Sequence, residues 1–157
     1  MPASKSERLE IRSSVDIVTV RQAVRRWALE LKFGLVDQTK IITAASELAR
    51  NTLDYGKGGH VTIEQLVDGP RVGLRLSFAD EGPGIPDVAL ALRDGYTTGT
   101  EMGLGLGGSK RLVHEFEVVS AAGEGTRVTI SLSKTMPPTR SRCRCERYAR
   151  HAATNFP

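Results

Sequence analysis

Only two cysteines occur in the 157 residues, Cys143 and Cys145, and both lie outside the patterned part of the chain. That excludes the disulfide framework by which small secreted folds are held together. No stretch approaches the ~18 consecutive apolar residues of a membrane helix, and the N-terminal MPASKSERLE has no apolar signal-peptide core. These absences predict a soluble, cytoplasmic protein without membrane contact. Excess positive charge is missing from most of the chain as well. The pI of 9.3 arises in residues 135–157, with five arginines and one glutamate, whereas residues 1–134 carry 17 bases and 17 acids. A charge-balanced body lacks the broad electrostatic footprint of a domain that grips many phosphates, so nucleic acid is not an expected partner. What is present, 39% apolar and 25% charged residues, suffices for one globular core. We expect one domain over residues 1–134. In the Arg-rich tail of residues 135–157, Pro137, Pro138 and the lack of an apolar period predict disorder in isolation.

Within the body, Leu9 and Ile11 alternate with charged residues in RLEIR, a strand signal of period two. Ile17, Val20, Val24, Trp27 and Leu31 recur at spacings of three and four behind Asp16, read as an N-cap, with Gly34 placed to end the helix. A second amphipathic helix runs from an Asp37 cap through Ile41, Ala45, Leu48 and Thr52 until the glycines of YGKGG stop it. Val61, Ile63 and Val67 share one face of a strand, Asp68-Gly69-Pro70 turns the chain, and Leu74, Leu76 and Phe78 alternate in the next strand. A short helix, VALALRD, is closed by Gly95. The stretch YTTGTEMGLGLGG reads as too flexible for core, and a helix over Lys110–Glu115, through Leu112 and Val113, follows. FEVVS and TRVTISLS around AAGEG form a final hairpin. The class is α+β, a two-layer sandwich with a mixed, mostly antiparallel sheet covered by helices on one face.

Three clusters carry chemistry. In ELARN, Glu47, Arg50 and Asn51 stand at i, i+3 and i+4 and share a helix face while Leu48 packs behind them. Taken alone, this is equally a solvated face with an ordinary Glu/Arg pair. In DEGPGI, Asp80 ends a strand, and Gly82 and Gly84 allow a sharp turn and close approach to a flat ligand. Alone, it is also a common polar strand-to-helix turn. GLGLGG leads into a helix, so its N–H groups can gather around phosphate oxygens; alone, it is also a flexible loop.

The glycines at 103, 105 and 108 match G-x-G-x-x-G, but TTGTEM precedes them where a dinucleotide fold needs a strand. The Ser109-Lys110 order is the reverse of a P-loop's Lys-Ser/Thr. Neither a Val-Ala-Ile-Lys strand nor a His-Arg-Asp loop follows, so the Gly-rich loop of eukaryotic-type protein kinases is excluded. Cys143, Cys145 and His151 fall short of a four-ligand zinc site. His60, at a strand start, and His114, on the last helix, read as surface or core-edge residues, and His114 lies downstream of the three clusters, the wrong order for a sensor kinase.

In this order and on these elements, the clusters resemble the N box and the two glycine boxes of the GHKL (Bergerat, HATPase_c) superfamily of ATPases and kinases. Within it, DIV, KFGLVDQTKIITAASELARN, YGKGG, DEGPGIPD, DGYTTG and EGT are similar to the switch serine kinases of the bacterial stressosome and the anti-sigma regulatory factors, over residues 9–133. The resemblance implies an ATP- and Mg²⁺-dependent serine/threonine protein kinase. Asp80 would hydrogen-bond the adenine amino group, directly and through a water that Thr126 helps hold, with Gly82 and Gly84 making room for the base and Ile85 beside it. Asn51 would be the Mg²⁺ ligand. Gly103, Leu104, Gly105, Leu106 and Gly107 would wrap the phosphates, with Thr98 in a short lid between Gly95 and Gly103 and Lys110 at the helix start. Glu47 would be the general base, steadied by Arg50. The implied partners are a STAS-domain protein as substrate and a PP2C-type phosphatase, and a homodimer is a further expectation. An anti-sigma factor that binds a sigma factor directly, or a non-catalytic nucleotide-dependent adaptor, would share the same ATP residues, although an adaptor has no need of Glu47 or Asn51.

Overall fold

The computed structural model describes residues 3–85, 87–92 and 105–137. Strand β1 (Ala3–Ile11) leads into helix α1 (Ser14–Glu30). The helix begins two residues earlier than its first acidic residue. Ser13 is the N-cap, and Asp16 reaches back from the first turn, its Oδ2 accepting the N–H groups of Arg12 (2.8 Å) and Ser13 (2.9 Å). Asp16 is therefore not the cap itself; it satisfies orphan donors from inside the helix, as the reverse half of a capping box does. Those two bonds hold its carboxyl below its ordinary range.

Helix α1 also ends before Gly34. The N–H groups of Leu31 and Phe33 close it on Trp27 and Ala28 carbonyls, and Lys32 takes the left-handed conformation (φ 57°). Gly34 is instead the N-cap of α2 (Leu35–Asp54), and Asp37 lies in that helix's first turn, where a carboxylate complements the positive helix end. The two helices pack on each other. The buried faces are Val20, Ala23, Val24, Trp27 and Ala28 on α1, and Ile41, Ala44, Ala45, Leu48, Ala49 and Thr52 on α2.

Strands β2 (Gly59–Asp68) and β3 (Arg71–Asp80) form the expected hairpin, and β4 (Glu115–Ala121) pairs with β5 (Gly125–Thr135). The sheet order is β1-β2-β3-β5-β4, and all four pairings are antiparallel. Period-two alternation turns Val61, Ile63, Leu74, Leu76, Phe78, Val128, Ile130 and Leu132 toward the helices, where they complete one core with α1 and α2. The opposite face is polar and open; the Arg75–Glu64 ion pair (2.8 Å) and Ser77 line a shallow groove there.

Between β3 and β4 lie a single turn, α3 (Val88–Ala91), and α4 (Gly105–Leu112), which packs against α2. Helix α4 departs from the sequence expectation at both ends. It starts inside the glycine stretch, and Leu106 joins the core at 7% exposure, because helical winding of GLGG directs this one apolar side chain onto α2 and the sheet. It stops at Leu112, so Glu115 opens β4 and His114 stands in the connection, its Nδ1 accepting the N–H of Ser133 (3.1 Å). Lys110 accordingly belongs to the last turn of α4 and not to its start. Among the described residues, no helix is long and apolar enough to cross a membrane.

Candidate functional site

The register lines up five residues across one end of the sheet: Ile11, Gly59, Asp80, Thr126 and Ser120. Directly opposed residues share a face, and Asp80 and Thr126 follow the parity of Phe78 and Val128, so this row faces the helix layer. Apolar side chains fill the sheet beneath it, while the row itself is polar from Asp80 outward. The chemistry therefore sits where the core runs out, at the C-terminal end of β3.

The Asp80 carboxylate is placed by backbone on two sides. Its Oδ1 accepts the N–H of Gly82 at 2.9 Å. On the other side, a Cβ built on Gly56 would stand 2.3 Å from Asp80 Cγ, so no other residue at 56 leaves the carboxylate where it is. Among the described residues, Oδ2 takes no hydrogen bond. Gly56 in turn follows α2 directly, and its N–H reaches the carbonyl of Asn51 (3.3 Å). YGKGG stops the helix and belongs to the motifs of the resemblance; in the structure its first glycine is also the wall beside Asp80.

The loop after Asp80 is tied to the β4–β5 hairpin. Gly123 N–H donates to Pro83 O (2.7 Å), Ile85 N–H donates to Ser120 Oγ (2.7 Å), and Gly84, with φ +78°, brings its Cα so close to Ala121 O that a Cβ would lie 2.1 Å from it. The requirement for glycine at 84 is thus already set by packing within the protein. Ser120 carries no sequence signal, since a serine in an alternating strand reads as ordinary surface; only the pairing of β4 with β5 brings it to this loop.

Glu47, Arg50 and Asn51 lie on α2 as the i, i+3, i+4 spacing requires, with Leu48 and Thr52 buried behind them. The Arg50 guanidinium is 3.7 Å from Glu47 Oε1, with 16% of the Glu47 side chain exposed against 42% of Arg50. Among the described residues, the Asn51 amide takes no side-chain hydrogen bond. A free side-chain oxygen beside a carboxylate on a rigid helix suits a hard cation such as Mg²⁺, which prefers oxygen ligands. Gly105, Leu106 and Gly107 are in α4; Thr98, Gly103, Leu104, the lid and residues 138–157 of the tail, with Cys143, Cys145 and His151, lie outside the described residues, while Thr135 of the tail is the last residue of β5.

The family model for histidine kinase-, DNA gyrase B- and HSP90-like ATPases matches residues 36–136, which contain Glu47, Asp80 and Thr126. The chain belongs to this ATPase family. Among curated relatives it is 48% identical over 120 residues to the serine/threonine-protein kinase RsbT of Bacillus subtilis, covering 76% of this chain and 90% of that protein. It is 31% identical to an anti-sigma F factor of Thermoanaerobacter, over 71% of this chain and 80% of that one. A solved structure of the RsbU and RsbW domains of a Mycobacterium tuberculosis protein shares the fold (TM-score 0.57, 22% identity), covering 85% of this chain and about a third (34%) of that one. Among the described residues, ELARN lies on α2, DEGPGI follows β3, and residues 105–108 of GLGLGG lie in α4.

Proposed function

We propose that this chain is an ATP-dependent serine/threonine protein kinase that phosphorylates STAS-domain regulatory proteins and acts as a partner switch in bacterial stress or sigma-factor signalling, with a PP2C-type phosphatase as a second partner. The observation that carries the reading is the joining of two kinds of group: a carboxylate and a free amide on one face of α2, and, through Gly56, the Asp80 carboxylate at the end of that same helix. The 48% identity to a named serine/threonine-protein kinase supports it.

In this reading, Asp80 Oδ2 accepts from the exocyclic amino group of adenine, which favours ATP over a 6-oxo purine nucleotide. Ile85 lies beside the base, and Thr126, opposite Asp80 in the register, holds the water near it. Asn51 supplies the protein's oxygen ligand to Mg²⁺, whose contribution is neutralisation of phosphate charge. Helix α4 turns the N–H groups of its first turn, at Gly105, Leu106 and Gly107, toward an anion. Glu47 accepts the proton of the partner's serine or threonine hydroxyl as that oxygen bonds to the γ-phosphorus and the bond to the β,γ-bridging oxygen breaks, releasing ADP. Arg50 keeps the Glu47 carboxylate oriented.

The test is transfer of the γ-phosphate of Mg-ATP to STAS-domain proteins. Phosphoserine or phosphothreonine should form with the natural chain and be lost with Asn51→Ala. ATP binding without transfer to any STAS-domain protein would overturn the kinase reading. Identity of 31% to an anti-sigma F factor favours, as the second reading, a kinase that also holds a sigma factor. Stable capture of a purified sigma factor would select it.

A further inference from the structure

Ser120 joins three parts of the adenine end through one hydroxyl. Its Oγ accepts the N–H of Ile85 at 2.7 Å, donates to the carbonyl of Gly125 at 3.0 Å, and lies 2.9 Å from Thr126 Oγ1. A serine hydroxyl has one proton and two lone pairs. With the proton on Gly125 O and one lone pair taken by Ile85, the remaining lone pair can only accept, so the Thr126 hydroxyl must donate to Ser120. That leaves Thr126 Oγ1 with lone pairs alone toward the site. Asp80, directly across β3–β5 on the same face, is likewise an acceptor when ionised.

We propose that Ser120 is a positioning residue for nucleotide selectivity: by consuming the Thr126 proton, it leaves Thr126 and Asp80 to accept both protons of the water held beside them, so that the water and Asp80 together face the base as an edge of acceptors. Such an edge welcomes a base that presents an amino group and repels one that presents a carbonyl oxygen. The inference rests on the ATP-binding reading above and adds a residue that touches no nucleotide. Without the Ser120 hydroxyl, Thr126 is free to rotate and donate to that water, which frees a water proton for the carbonyl of a 6-oxo purine. Buried polar groups left mismatched are the strongest source of such discrimination.

The experiment is calorimetric titration of the full chain with Mg-ATP and Mg-ITP, which differ at the 6-position of the base and its adjacent ring nitrogen. Ser120→Ala should lower the ATP-to-ITP affinity ratio about tenfold, mainly by tightening ITP. Ser120→Cys, close in shape but a poor hydrogen-bonding partner, should do the same and serves if the alanine variant folds badly. If Ser120→Ala and Ser120→Cys weaken both nucleotides equally or leave the ratio unchanged, Ser120 is only a tie between the loop and the hairpin, and the proposal falls. Asp80→Asn separates the two layers of the argument. If it also leaves the ratio unchanged, the adenine assignment falls and takes this inference with it. If it collapses the ratio while both Ser120 variants do not, only the inference falls.

Discussion

The two ends of the candidate site are built by different means. Around Asp80, position comes from close packing and hydrogen bonds that involve backbone: Gly56 against the carboxylate, Gly84 against Ala121 O, Gly123 N–H on Pro83 O, and Ser120 Oγ binding the loop to the hairpin. On α2, Glu47, Arg50 and Asn51 are placed by helical winding alone, and among the described residues their one mutual side-chain pairing is a partly exposed ion pair at 3.7 Å. The first end tolerates almost no change of shape. The second can change its side chains without disturbing the fold. In the proposed reading, the Asp80 end rejects near-identical bases and gains from rigidity, whereas the α2 groups meet a moving partner hydroxyl and need only a firm helix beneath them.

This contrast makes graded predictions. Gly84→Ala should destabilise the protein most, by about 2–4 kcal/mol, from the positive φ and the overlap with Ala121 O together; urea unfolding would show it, and a change below about 0.5 kcal/mol would mean the loop is not interlocked. Asn51→Ala should lower phosphotransfer about 10²-fold while leaving the unfolding midpoint unchanged. Equal loss of stability and activity there would erase the difference between the two ends. Asp80→Asn is expected to weaken ATP binding about 10- to 100-fold, the scale of a hydrogen bond to a charged group, again measured by calorimetry.

A smaller effect tests a part of the fold away from the site. Glu7 accepts the Trp27 Nε1–H at 2.6 Å, and that bond, with the nearby Arg26 and Lys5 charges, holds its carboxyl below its ordinary value despite partial burial. A carboxylate whose folded value is depressed contributes stability that is present above its ordinary range and is lost as pH falls through the folded value. Trp27→Phe should therefore cost about 1–2 kcal/mol near neutrality and flatten the decline in stability below about pH 4. Smallest of all, Arg50→Ala should change stability by at most about 0.5 kcal/mol, so any loss of phosphotransfer in that variant reports on Glu47 orientation or partner contact.

Much of the architecture was legible because its signals are local. The alternation of Leu74, Leu76 and Phe78 named the inward face of β3, and the i, i+3, i+4 spacing in ELARN put Glu47, Arg50 and Asn51 together without any tertiary information. Helix ends were less legible. Asp16 and Asp37 have the chemistry of caps, yet Ser13 and Gly34 hold those positions, since an acidic residue stabilises a helix start equally well from the first turn. The glycine stretch reads as too flexible for core, and glycine disfavours helices, but burying Leu106 offsets that cost in α4. The same extension moved Lys110 from the helix start to its last turn.

What the chain order determined by itself is the set of elements, the side chains each presents inward, and the composition of each cluster, because periods of 2 and 3.6 are properties of the backbone. Which clusters meet was decided only in three dimensions. Insertion of β5 between β3 and β4 puts Thr126 opposite Asp80 and brings Ser120 to Ile85, and the close approach of α2's end to β3 makes Gly56 part of the carboxylate's setting. These are contacts between segments 24 to 46 residues apart, from Gly56–Asp80 to Asp80–Thr126, and strand order and interatomic clearance, not local preference, create them.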